Sequence, residues 1–368
     1  MSLVRPPDLI ANFEENGKVL VRSVSLKIGA KVPPFAVGVL AYCSIPRSRD
    51  EVVAHMGPHA ANMYDALAQN GLLLTPEQAN NSAVMFHNYT GIEVHRRMLV
   101  DEPRLAKYRE GLQAIIQPGD VVIDAGSGTG VLAVLAAQAG AAKVYALEQS
   151  RFADVIPHVA ASSGVGDIVE VVQGDFSKLV LPQKARVLVS ETFGGWAFAE
   201  DPNPDITDCV ANNLLPDGVV VPGSVALVAA PMAEAPHALL GVFGKRDDGI
   251  DLSPLLGDAR ARGHIMDVDA AMCGKPRVVA KTPFPTTNPI VGTLTLDKPC
   301  AALCCWFDLE MAPGVTLSTS PSAPWTHWRQ SVLPFALDAG EYEVILSPAP
   351  EDRRTLLVEI DGHSVRLR

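Results

Sequence analysis

Two glutamates bracket the stretch VLVSETFGGWAFAED, residues 187–201: Glu191 at the exit of an apolar run and Glu200 nine positions later. Two carboxylates facing one cavity repel each other, so the arrangement calls for a cation between them. Phe193, Gly194, Gly195 and Trp196 lie in the interval. A second constellation, DAGSGTG, places Asp124, Gly126, Gly128 and Gly130 where an apolar run meets a helix-like one. Glycines there let a backbone approach a ligand closely, and the following helix start favours an anionic group. The GxGxG spacing departs from the GxGxxG of dinucleotide binders. Glu148 closes the next apolar run, where an acid can accept both hydroxyls of a ribose. Asp175 closes the one after, where it or the Phe176 backbone can read an adenine amino group. The set points to an adenosine-type ligand without a pyrophosphate, S-adenosyl-L-methionine ahead of NAD.

These residues need a scaffold. Over residues 81–222, buried-looking runs (VVIDA, AKVYALE, DIVEVVQGD, ARVLVSE) alternate with helix-like segments, among them VIPHVAASSG. That is the rhythm of an open parallel sheet, a Rossmann-like α/β domain. From 223 to 368 the pattern changes to short Val/Leu-rich strands punctuated by Pro and Gly, such as SVALVAAP, PIVGTLTL, CAALCCWFDLE, EYEVILSP and TLLVEIDG. That reads as a β-barrel or sandwich domain. A helical, loop-like insertion interrupts it at about 237–265. Residues 1–80 mix a strand in VLVRSVSLKIG, with Val24, Leu26 and Ile28 alternating, and helices in PFAVGVLAYC, SRDEVVAHM (Ser48 as cap) and PHAANMYDALAQNG. With LLLT as a closing strand, they suggest a small winged-helix-like α+β domain.

At 368 residues the chain can bury several domains' worth of core. The formal charge of −11 disfavours nucleic acid and anionic membranes as partners and suits a cationic substrate. No run approaches the ~20 apolar residues of a membrane helix, and MSLVRPPDLIANFEENG lacks a signal-peptide core. Six cysteines form no CxxC pair and read as reduced thiols, so no metal and a cytoplasmic location are expected.

With those residues placed, the sequence resembles the protein arginine N-methyltransferase family in four blocks across roughly residues 84–368. FHNYTGIEVHRRMLVDEPRLAKY is similar to the family's N-terminal helical segment. The resemblance implies that Phe86 and Tyr89 cover the cofactor, that Arg104 meets its carboxylate, and that Met98 and Asp101 lie near the reaction centre. VIDAGSGTG with Glu148 is similar to the cofactor block, and SETFGGWAFAE to the double-glutamate loop. STSPSAPWTHWRQ is similar to the family's threonine-histidine-tryptophan loop, here Thr326, His327 and Trp328.

Glu191 and Glu200 are then expected to grip the guanidinium of an arginine acceptor, always charged and a poor nucleophile, and to aim one nitrogen at the sulfonium methyl. Asp101 and His327 are expected to order the site or accept the proton. Glu191 is also expected beside the cofactor, and Tyr89, Trp196 and Trp328 beside the acceptor. The product would be S-adenosyl-L-homocysteine. A homodimer built on the 237–265 arm is implied, with Leu239, Leu240, Leu255 and Leu256 in the contact.

The chain departs from the family pattern at three places. Met85 precedes Phe86 where an aromatic is usual, and Ser177 stands where a glutamate often lies near adenine. Thr192-Phe193-Gly194-Gly195 replaces Trp-Met-Gly-Tyr. The last departure favours free arginine or a small arginine-containing peptide over general protein substrates. The competing readings are a methyltransferase for another small molecule and a catalytically silent peptide-binding protein.

Overall fold

The computed structural model describes residues 2–6, 9–13, 17–23, 28–76, 78, 91–350 and 352–368. It divides into two compact units, Met1–His95 and Arg96–Arg368. Among its described residues, the first unit holds an antiparallel sheet of Leu9–Phe13, Val19–Ser23 and Ile28–Val32, with helices Pro34–Tyr42, Arg49–Met56 and Ala60–Gln69. The one strand expected in VLVRSVSLKIG is two, paired antiparallel; Val24 and Leu26 fall outside the described residues. LLLT supplies only an isolated bridge from Leu74 to Val4, not a strand. The Ser48 cap is present: its Oγ accepts from the Glu51 amide (3.3 Å), and the Glu51 carboxylate accepts from the Ser48 amide (2.7 Å). This reciprocal pair satisfies two amides that a helix start leaves open.

In the second unit, five parallel strands run in the order Leu214–Val221, Ala185–Ser190, Val121–Ala125, Lys143–Glu148, Val169–Gln173. Both faces of the middle strands are buried, which is why they read as unbroken apolar runs rather than alternating ones. The strand order reverses at Val121–Ala125, which pairs with Lys143–Glu148 on one side and Ala185–Ser190 on the other. In such sheets ligands bind outside the carboxyl ends of the strands at this switch point. Asp124, Glu148 and Glu191 all sit at those ends.

The remainder is antiparallel. One sheet orders His264–Met266, Gln330–Leu333, Ala302–Ala312, Ser224–Met232 and Arg277–Pro283, with Val315–Ser318 on the flank of Ala302–Ala312. The other orders Ile290–Leu296, Gly340–Ala349, Asp352–Ile360 and His363–Leu367. One core runs from Tyr108 and Ile123 under the parallel sheet to Phe307, Leu309 and Val344 in the antiparallel ones, so the two regions form one packed body. A smaller cluster around Trp306 and Cys304 takes in Leu239 and Leu240. Those two arm leucines therefore fold back on their own chain, against the expectation that they project. Leu255 is exposed and Leu256 half-buried. Cys43, Cys209, Cys300, Cys304 and Cys305 are buried free thiols, and Cys273 is half-buried.

Candidate active site

The helix Glu102–Ile115 carries the first part of the site. Asp101 caps it, Oδ1 accepting from the Arg104 amide (3.1 Å). One turn in, the Arg104 guanidinium donates to Glu191 Oε2 and to the Met98 carbonyl, each at 2.7 Å. A further turn on, the Tyr108 hydroxyl donates to the Ser190 carbonyl (3.0 Å), tying the helix to the end of the strand that delivers Glu191. Burial, with the Glu191 charge beside it, pushes the Tyr108 phenol well above its ordinary value, so it serves as a neutral donor. Sequence reading missed Tyr108, although its place four residues after Arg104 puts it on the same helix face.

Asp101 is fully buried, and its second oxygen reaches across the fold. Oδ2 accepts from the His327 amide (2.8 Å) and lies 2.9 Å from His327 Nδ1. Trp328 donates its Nε1–H to the Phe193 carbonyl (2.7 Å), and its ring meets Phe307 edge-on. Arg104 thus joins the two acids, its guanidinium on Glu191 and its backbone amide on Asp101, and Asp101 in turn holds His327. The cation expected beside Glu191 is already present within the chain: Arg104 is its partner, with side chains 3% and 9% exposed.

The loop after Glu191 is tightly folded. The Gly194 amide donates to the Ala197 carbonyl (3.1 Å) and the Ala199 amide to the Gly195 carbonyl (3.1 Å). Trp196, Ala197, Glu200 and Asp201 all adopt positive φ, unusual for residues with side chains. The loop's end is anchored by the Glu200 amide on the Arg354 carbonyl (2.9 Å) and by Asp201, which accepts from Asn288 Nδ2 (2.9 Å). Gly194 is required at its position, because a Cβ there would overlap the Ala199 carbonyl oxygen. Trp196 corrects an expectation: it is 1% exposed, packed in the main core rather than lining an acceptor cavity. Trp328 is likewise buried and serves packing through Phe193 and Phe307.

At the cofactor block, Gly126, Gly128 and Gly130 all have positive φ, and a Cβ on Gly130 would come within 2.9 Å of Ile156. Glu148 accepts from the Gly128 amide at 2.7 Å and from the Ser150 amide at 2.6 Å. Each oxygen keeps a further lone pair, so the carboxylate is aimed over the turn and can still accept from a diol. Phe176 packs beside Gly126. Asp175 is turned towards its own loop and accepts from the Ser177 hydroxyl and Lys178 Nζ, each at 2.7 Å. Burial opposes its ionisation, yet Lys178 and Ser177 together hold its carboxyl below the ordinary value. Phe86 and Tyr89 lie outside the described residues.

Among the described residues, one buried acid and one buried N–H here are left open. Among those residues, neither carboxylate oxygen of Asp124 nor the Nε–H of Arg104 has a hydrogen-bond partner at full geometry, although Ser127 and the Ala133 amide lie close enough to Asp124 to favour its charge. Burial pushes the Asp124 carboxyl up to about 7, and the Glu148 and Glu191 charges reinforce it. An orphaned acid and an orphaned guanidinium N–H are complementary to the ammonium and carboxylate of an amino-acid tail. The residues present therefore fit S-adenosylmethionine, with its amino-acid end at Asp124 and Arg104 and its ribose at Glu148. Among the described residues, no group of three or more His, Cys, Asp or Glu could hold a metal ion, and no helix is long and apolar enough to cross a membrane.

Comparison with known proteins adds to this geometry. Residues 265–355 match the arginine methyltransferase oligomerization subdomain, and residues 109–189 match the family of ribosomal protein L11 methyltransferase. Protein arginine N-methyltransferase 6 of Danio rerio is 28% identical over 319 residues, covering 77% of this chain and 90% of that protein. Arginine N(omega)-methyltransferase of Streptomyces achromogenes subsp. streptozoticus is 29% identical over 296 residues, covering 74% and 81%. Among solved structures, the Trypanosoma brucei PRMT1 enzyme-prozyme heterotetrameric complex with AdoHcy superposes with a TM-score of 0.68 at 24% identity, covering 76% of this chain and all of that one.

Proposed function

We propose, on the premise that the chain belongs to the protein arginine N-methyltransferase family and is an S-adenosylmethionine-dependent arginine methyltransferase, that its acceptor is free arginine or a small arginine-containing peptide. The observation that carries this reading is the double-glutamate loop itself. Where the family pattern has large side chains, Phe193 is turned into a core of Phe284 and Phe307, and Gly195 packs on Ile265 and Leu367. The loop thus offers a guanidinium its two carboxylates and little aromatic surface for the flanking chain of a protein substrate. The name of the Streptomyces achromogenes relative, which specifies arginine rather than protein arginine, supports the same choice.

When bound, S-adenosylmethionine supplies an electrophilic methyl group on its sulfonium. The chain's own part is to hold the acceptor nitrogen in line with that methyl, which can be worth several kcal/mol. Glu200 and the oxygen of Glu191 not taken by Arg104 accept hydrogen bonds from the guanidinium. His327, backed by Asp101, takes up the proton released as the N–C bond forms.

The proposal includes a homodimer, supported by the match to an oligomerization subdomain and by exposed apolar residues on the arm, Val242, Ile250 and Leu255. It also includes a cytoplasmic location, supported by the free thiols, and a winged-helix-like reading of residues 1–80, supported by the three-stranded sheet and the helices of that segment. Mass spectrometry of free arginine, short arginine peptides and an arginine-rich protein, each incubated with enzyme and cofactor, tests the acceptor. Methylation of arginine or peptide well ahead of protein is expected, and the reverse order rejects the small-acceptor reading.

A further inference from the structure

Asp267 follows the strand His264–Met266 and divides its two carboxylate oxygens between two side chains of the His327 loop. Oδ1 accepts from Trp325 Nε1 (3.1 Å) and Oδ2 from Arg329 Nη2 (2.8 Å). Those two residues stand two positions before and two positions after His327, so one carboxylate spans the turn that carries the imidazole. The turn needs holding. Arg329 has φ of 58°, in the left-handed region that a long side chain rarely adopts, and its amide closes the turn on the Thr326 carbonyl (3.0 Å).

On the inner side the turn is fastened by the His327 amide on Asp101 and by Trp328 on the Phe193 carbonyl. The outer side is fastened by Asp267. The backbone around Asp267 is itself fixed to the same segment: Met266 pairs with Gln330, and the Val268 amide donates to Gln330 Oε1 (3.0 Å). The Arg329 guanidinium beside Asp267 holds its carboxyl below the ordinary range, so the clamp stays charged at neutral pH.

We propose that Asp267 is a positioning residue for the transfer reaction: by pinning Trp325 and Arg329 it keeps the His327 imidazole against Asp101. The inference rests on the arginine-methyltransferase reading for its catalytic consequence, but not for its structural one. The Asp267 side chain is 60% exposed, so the pair with Arg329 is solvent-screened and adds little to global stability. Its substitution therefore leaves the fold in place, and the effect falls on one loop.

Two readouts test it in the full-length protein. Hydrogen exchange without cofactor, read over residues 325–330, should be about tenfold faster in Asp267→Ala than in wild type, with the parallel sheet unchanged. In single-turnover methyl transfer to an arginine acceptor, Asp267→Ala should be about five- to tenfold slower, with the cofactor dissociation constant unmoved. The double variant with His327→Gln should be no slower than His327→Gln alone, because residues acting through one group are not additive. Unchanged exchange in the loop, or a double variant slowed by the full product of the two factors, overturns the proposal. If wild type transfers no methyl group to any arginine acceptor, the functional reading falls and the exchange result alone decides whether Asp267 holds the loop.

Discussion

Arg104 and Glu191 are separated by 87 positions in sequence and by 2.7 Å in the fold. That pairing changes what a substitution at Glu191 reports. Removing one partner of a buried ion pair strands the other, at a cost of roughly 3–5 kcal/mol, so Glu191→Ala should lower stability as well as activity, and a thermal melt checks this directly. The cofactor side is cleaner. Glu148→Ala should raise the dissociation constant of S-adenosylmethionine at least about tenfold, since hydrogen bonds to a charged acceptor are worth roughly 1.5–3 kcal/mol; titration calorimetry measures it. Asp124 gives a pH dependence. Its folded carboxyl keeps a proton up to about 7, whereas the unfolded chain releases it near ~3.9. Stability is therefore lost as pH rises between those values, by an amount of order 4 kcal/mol. Cofactor-free Asp124→Asn should melt above wild type at pH 8, and the gap should close at pH 4. Residues set by local pattern, such as the glycine turn and Glu148, were legible in the sequence because strand, turn and acid follow one another. The Arg104–Glu191 pair and Asp267 were not, because nothing local marks a contact made across the fold.

The middle parallel strands were legible because burial on both faces leaves uninterrupted apolar runs, bounded by glycine or an acid; the edge strand Leu214–Val221, exposed at its centre, was not. His264–Met266 and His363–Leu367 were not either: the first is only three residues long and the second is rich in polar residues, and each pairs with a neighbouring strand. The segment from Glu191 to Glu200 was legible as a loop with two acids, but its conformation was not. Trp196 reads in sequence as a residue for binding an acceptor and is 1% exposed in the core, on a loop whose positive φ values no local pattern marks. Gly194 is the most stringent position in that loop. Gly194→Ala places a methyl group against the Ala199 carbonyl oxygen, and overpacking of this kind costs about 1–3 kcal/mol. The variant should lose stability by about that much in a denaturant titration, and turnover should fall although both glutamates remain.

Across the whole molecule, the Arg96–Arg368 unit joins a parallel sheet and two antiparallel sheets through one core, and the 237–265 arm returns into it at His264–Met266. The sequence implied an arm of projecting leucines; the structure keeps Leu239 and Leu240 at home and leaves Val242, Ile250 and Leu255 outside. Sequence pattern marks such residues as apolar but cannot say which find partners in their own chain. If the exposed set meets a second copy, Ile250→Asp with Leu255→Asp should turn a dimeric mass into a monomeric one by light scattering at micromolar concentration, and a wild type that is already monomeric contradicts the dimer. The central claim is that two carboxylates grip a guanidinium. Glu200 tests it more directly than Glu191, which is bound up with Arg104. The measurement is the single-turnover rate of methyl transfer to an arginine acceptor by Glu200→Gln at saturating cofactor. Losing one charge-assisted contact in a closed site should slow transfer on the order of 10²–10³-fold. A rate near that of wild type would contradict the account.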